Sequence, residues 1–166
     1  MLEVGPGTGQ TTLPLARRGL DVTAVEMGAG LAAVAARRLA RFPRVEIVEG
    51  AFEHHPLPQA AFDLVLAATA WHWIDPATRL ARAAHALRPG GCIALISTHH
   101  VAGGTRAFFD EVQENCYTVH MGEDATLRLS ESDDVPPGTE GIDAGGRFDA
   151  PAVRRYHQDI AYTSAT

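Results

Sequence analysis

The segment Leu2-Glu3-Val4-Gly5-Pro6-Gly7-Thr8-Gly9-Gln10 sets three glycines at alternate positions, between a short apolar run and a helix-forming stretch. Glycines so spaced let the backbone turn sharply and let a ligand lie against the main chain where a Cβ would collide. The apolar run Met1–Val4 reads as the end of a strand, and about Thr11–Arg18 reads as a helix that Gly19 closes. Pro14 is tolerated there because it falls in the first turn, where no amide donor is needed. A strand, a glycine turn and a helix in that order are the opening of a βαβ unit.

The same alternation continues outward. Val22–Val25 reads as a second strand, and Leu31–Arg41 as a helix with Arg37, Arg38 and Arg41 at its C-terminal end, where cations suit the dipole. Val45–Val48 and the buried apolar run Phe62–Leu66 read as the third and fourth strands. Asp75-Pro76 reads as N-cap and first residue of a helix to Leu87, stopped by Pro89-Gly90-Gly91, and Cys92–Ser97 as a fifth strand. Thr105–Val119 is expected to be one helix burying Phe108, Phe109, Val112 and Cys116. The acidic stretch 122–146 reads as a mobile loop, and Val153–Tyr156 as a sixth strand. This pattern predicts an α/β fold, an open and mainly parallel sheet covered by helices. The first strand starts at the first residues and little chain follows the last, so the sequence is expected to be part of a longer domain.

Composition narrows the function. The 166 residues are 46% apolar and 20% charged, one ordinary globular domain over 1–166. All 14 basic residues are Arg, which excludes Schiff-base chemistry, a pyridoxal site and a P-loop NTPase, all of which need an amine. The net charge of −6 resides in Gly122–Asp143, where seven acids face Arg128 alone; elsewhere acids and arginines cancel. No basic field for nucleic acid or anionic lipid results, and no stretch has the apolar length of a membrane span. Cys92 and Cys116 do not suggest a disulfide framework, and a reduced, cytoplasmic setting is expected. Among His54, His55, His99, His100, Cys92 and Cys116 no pair has i,i+4 helical or CxxC spacing, and no metal is expected.

Glu26 ends the second strand 21 residues after Gly5, where an acid can accept two hydrogen bonds from a ribose diol. A nucleoside ligand is therefore indicated. The dinucleotide fingerprint needs a small residue at its sixth position, which here is Gln10, and that spacing disfavours NAD.

With Leu2–Gly9 (LEVGPGTG), Val22–Glu26 (VTAVE), Glu49–Phe52 (EGAF), Phe62–Asp75 (FDLVLAATAWHWID) and Leu87–Gly91 (LRPGG) in this order, the chain resembles the class I S-adenosylmethionine-dependent methyltransferases, in the branch that includes trans-aconitate methyltransferase-like proteins. The resemblance covers roughly residues 1–98. It implies a Rossmann-like sheet with helices on both faces, seven-stranded when complete, of which the N-terminal helices and final strand are missing here. It implies that S-adenosyl-L-methionine is the cofactor, with Gly5, Gly7 and Gly9 approaching it and Glu3 near its methionine ammonium. Glu26 would hold the ribose, Met27, Ala51 and Phe52 would line the adenine, and Ala67 and Ala68 would border the methionine part. Many relatives carry Asp at or before the position of Ala51 to bind the adenine amino group; here backbone groups or Glu53 would have to substitute.

Trp71-His72-Trp73 follows the fourth strand, at the sheet edge where ligands of open α/β folds bind. Trp71 and His72 are the candidate acceptor residues, with His72 able to orient an acceptor or take its proton. Trp73 is expected to pack under the following helix. Of His99 and His100, adjacent after the fifth strand, at most one faces a pocket, and His99 is the candidate. The expected function is methyl transfer to a small-molecule acceptor. The alternatives are an inactive nucleoside-binding fragment and, disfavoured by Gln10, an NAD-dependent oxidoreductase.

Overall fold

In a computed structural model, residues 1–122, 129–136, 138, 142 and 146–161 are described, and the chain divides into two compact units. The first comprises Met1–Thr98 with Glu140–Ala150; the second, His99–Thr139 with Pro151–Thr166.

The first unit is built on five strands, β1 (Leu2–Val4), β2 (Val22–Glu26), β3 (Val45–Glu49), β4 (Phe62–Ala68) and β5 (Leu87–Ile96). They form one wholly parallel sheet in the order β3-β2-β1-β4-β5. The chain steps outward from β1 in one direction, then returns to lay β4 on its other side, so a crevice opens where β1 meets β4. Three helices cover the sheet, α1 (Thr12–Arg17), α2 (Ala29–Leu39) and α3 (Arg79–Ala86).

Strand alternation sorts two cores. Leu2, Val4, Val25, Val65 and Ala67 join Phe52, Ile74, Ala83 and Ala86, which brings α3 onto one face. On the other face Ala16 of α1 and Ala35 and Leu39 of α2 pack with Val45 and Ile47. The small residues of α2 let it sit close to the glycine turn. A Cβ on Gly9, whose φ is +80°, would lie 2.9 Å from Leu39 Cδ1.

Two boundaries differ from expectation. Asp75 does not begin the third helix: it organises a turn, accepting from the Ala77 amide at 3.0 Å and the Thr78 hydroxyl at 3.2 Å, and α3 starts at Arg79. The fifth strand starts at Leu87, ahead of the expected Cys92. Phe62 pairs with Leu87 but Leu64 pairs with Cys92, so Arg88–Gly91 bulges out of the ladder. Pro89 has no amide to donate and Gly90 takes a φ of +78°, which makes the bulge the low-cost solution.

In the second unit the helix expected over Thr105–Val119 forms as α4 (Arg106–Val112), a π turn over Gln113–Tyr117, and α5 (Thr118–Met121). The expected burial fails: Phe108 and Cys116 are exposed and Phe109 and Val112 only half-buried. The described part of this unit offers no sheet to receive that face, only an isolated bridge between Val101 and Ser130. The expected sixth strand is also absent. Residues 151–161 have no regular structure, and Arg155 is held instead by side-chain bonds to the carbonyls of Ser132 and Val135, at 2.7 and 2.6 Å. Of the acidic stretch read as a mobile loop, Ser132–Asp134 form a 3-10 turn, and much of the remainder lies outside the described residues.

A Gly9→Ala substitution forces an L side chain into left-handed backbone against Leu39. It should lower stability by about 1–2 kcal/mol, read as a fall in the urea midpoint at unchanged slope.

Candidate active site

Four strand ends meet at the carboxyl edge of the sheet. β1 runs into the glycine turn, β2 into Met27-Gly28, β3 into Gly50–Phe52 and β4 into Thr69–Trp73. Backbone bonds extend the ladder into these turns, from the Gly5 amide to the Val25 carbonyl and from the Gly50 amide to the Glu26 carbonyl, each 2.9 Å.

Glu26 is the hub. Its Oε2 accepts the Gly7 amide at 2.9 Å and its Oε1 the Gly28 amide at 2.8 Å, so one carboxylate ties the first crossover to the second. Each oxygen keeps a further lone pair for an outside donor. The three glycines have separate tasks. A Cβ on Gly5 (φ +66°) would fall 2.6 Å from Ala70 Cβ, so this glycine admits the turn after β4. Gly9 admits α2. Gly7 alone faces open space, with nothing within 4 Å of its missing Cβ.

Glu3 lies on the same face of the sheet as Glu26, because it pairs with Ala24, two residues before it. It is 1% exposed, and both its Oε2 and the Thr12 hydroxyl are buried without a hydrogen-bond partner. Burial pushes the Glu3 carboxyl above its ordinary range, and the neighbouring Thr12 hydroxyl opposes that shift. Glu3 Oε2 is thus an orphaned buried oxygen on the strand that runs into the glycine turn, and its chemistry would suit a cationic or donor group.

The remaining positions divide. Met27 stands 74% exposed beside Glu26. Ala51 is half-buried, and its carbonyl accepts the amides of His54 and His55. The Phe52 ring is 3% exposed, inside the core with Trp71 at a centroid distance of 6.5 Å. Ala67 is buried in the sheet and Ala68 is half-buried at its end. Glu53 is committed elsewhere, since its Oε1 accepts the Asp75 amide at 3.1 Å.

The two tryptophans exchange the places expected of them. Trp71 packs down, its carbonyl accepting from Arg79 at 2.8 Å and its ring lying under that guanidinium at 5.3 Å. Trp73 is 80% exposed, with the exposed His72 ring 4.9 Å away. Successive residues of the 3-10 turn over Trp71–Trp73 are rotated by about 120°, and Ile74 is buried after it. His99 is exposed and opens the second unit.

Sequence reasoning missed Arg79, Arg82 and Thr69. The two arginines fall in the stripe of α3 that buries Ala83 and Ala86, a legible oddity, because arginines in an apolar stripe need specific partners. Thr69 takes a φ of +53°, which no residue pattern announces, and strained backbone of this kind gathers at ligand sites. Among the described residues no three His, Cys, Asp or Glu side chains come together as a metal site, and no helix is long and apolar enough to cross a membrane.

Parallel strands, a crevice at the switch point and an acid gripping a glycine turn define a doubly wound, Rossmann-like nucleoside-binding fold. Residues 2–95 match the methyltransferase domain family, and the chain belongs to it. It is 41% identical over 96 residues to an uncharacterized methyltransferase of Mycobacterium tuberculosis, covering 58% of this chain and 38% of that protein. It is 36% identical to the malonyl-[acyl-carrier protein] O-methyltransferase of Dechloromonas aromatica, covering 77% and 48%. Among solved structures it is similar to the glycopeptide N-methyltransferase MtfA complexed with sinefungin, with 30% identity, a TM-score of 0.50 and coverage of 57% and 41%. The chain thus spans less than half the length of these relatives.

Because folded Glu3 holds its proton more tightly than unfolded Glu3, the chain should lose stability as pH rises through the ordinary carboxylate range and the raised folded value. Glu3→Gln should remove that part of the slope and be the more stable protein at neutral pH. Urea midpoints of both across about pH 4–8 check this.

Proposed function

We propose that this chain binds S-adenosyl-L-methionine and transfers its methyl group to a small-molecule acceptor. The observation that carries the reading is the Glu26 carboxylate, fixed by two backbone amides of the glycine turn and its neighbour, with lone pairs left for a sugar diol. Gly5 and Gly9 shape the turn and Gly7 leaves the open surface for the ligand. The unpartnered Glu3 carboxyl supports a role beside the methionine ammonium, whose charge would favour its ionised form. Met27 offers an apolar surface to the adenine next to Ala51 and the main chain of Phe52, whose ring is in the core, and the small Ala67 and Ala68 leave room for the methionine part.

When bound, the sulfonium supplies a methyl whose bonding pair returns to sulfur as the acceptor's lone pair takes the carbon. The protein's share is alignment and exclusion of water, with a base needed only if the acceptor must lose a proton. His72, exposed on the turn after β4, is the residue in this reading that orients the acceptor or takes that proton, with Trp71 behind it. A small acceptor, in preference to nucleic acid, is supported by the absence of a basic field, and a cytoplasmic setting by two free cysteines.

Calorimetric titration with S-adenosylhomocysteine and NAD tests the ligand. Binding of the former and not the latter is expected; preferential NAD binding would reject the assignment. Glu26→Ala should weaken S-adenosylhomocysteine binding by about 1–3 kcal/mol, as for a lost charge-assisted hydrogen bond, and an unchanged dissociation constant would remove the ribose role. Methyl-labelled cofactor supplied with a carboxylate and phenol panel distinguishes an enzyme, which labels an acceptor, from a nucleoside-binding fragment, which does not.

A further inference from the structure

One arginine holds the turn that follows β3. Arg82 Nε donates to the Phe52 carbonyl at 2.8 Å, and its Nη2 donates to the His55 carbonyl. Its guanidinium also lies over the Phe52 ring, 5.6 Å from the centroid. Two donors of one rigid planar group thus engage carbonyls three residues apart, and the same group stacks on the ring between them. Only Arg has this fork; Lys offers one rotatable point charge.

At the head of the clamped turn Ala51 has only backbone to offer a base, and the carboxylate of Glu53 is already bonded to the Asp75 amide. Hydrogen bonding to a base by main chain alone requires that the main chain stand still, because a free turn must be ordered when the ligand binds. The neighbouring wall is built alike. Arg79, one turn earlier on α3, bonds the Trp71 carbonyl and covers the Trp71 ring.

The geometry points to Arg82 as a positioning residue that sets base specificity: it fixes the Ala51–His55 turn so that backbone groups distinguish adenine from other purines. This rests on the adenosyl cofactor assigned above, and adds that a residue remote from the ligand, on α3, determines which base is accepted. Arg82 touches no ligand atom in this scheme and acts through Phe52 and His55.

The test compares S-adenosylhomocysteine with S-inosylhomocysteine, in which a carbonyl replaces the adenine amino group, by calorimetry on the full chain. The unsubstituted protein should prefer the adenosyl compound. Arg82→Met keeps an apolar stem over Phe52 and removes both donors, and its preference should fall by about tenfold, the equivalent of one hydrogen bond. Arg82→Lys, which retains the charge and one reach, should recover part of it and serves alone if the Met variant does not fold. A merely structural role would lower the melting temperature while leaving the ratio of the two affinities unchanged, and that result overturns the inference. Equal affinities in the unsubstituted chain also overturn it, with the cofactor assignment intact. If the unsubstituted chain binds neither compound, the cofactor assignment itself fails and this inference falls with it.

Discussion

A single buried carboxylate joins the two crossovers on which the sheet edge depends. Glu26 is 7% exposed and accepts amides from both Gly7 and Gly28. Bonds of this kind, charged acceptor to backbone donor, are about twice as strong as neutral ones, and burying the acceptor without them would be prohibitive. The bend after β1 therefore cannot relax without uncovering a charge, and the open face at Gly7 is held open by the protein itself.

Around that hub each wall of the crevice has its own restraint. Ala70 occupies the space that a Cβ on Gly5 would fill, which sets the turn after β4 against the glycine turn. Arg82 holds the turn after β3, Arg79 the turn after β4, and the bond from the Asp75 amide to Glu53 ties those two turns together. Preorganisation suits methyl transfer, where the leaving group is already good and the protein contributes mostly alignment. Against these restraints stand two unmet polar groups, Glu3 and Thr12, buried at the mouth of β1. A fold that leaves such a pair unsatisfied gives up stability at that point.

Much of this was legible along the chain because its signals are local. Alternating apolar strands and helices, three glycines in five positions and an acid at the end of the second strand are patterns of period and spacing, and they led directly to the parallel sheet and to Glu26. Failures came where a partner from elsewhere was needed. Val153–Tyr156 has the composition of a strand, yet a strand exists only with an edge to pair with. Phe108 of α4 is apolar, yet it stands exposed, and Phe109 and Val112 are only half-buried. Leu87 was read as the end of a helix although its pairing with Phe62 makes it the start of a strand.

The sequence by itself determined the order of the first five strands, the glycine turn and the place of Glu26 at the end of the second strand, since each follows from backbone sterics and short-range spacing. Only the tertiary structure decided which tryptophan packs and which stands free, what each glycine makes room for, and that arginines of α3 hold the walls. Those outcomes depend on distances between residues far apart in the chain: Phe52 and Arg82 are separated by 30 positions and joined by one hydrogen bond. No pattern of residue types encodes such a contact until the strands between them have taken their places.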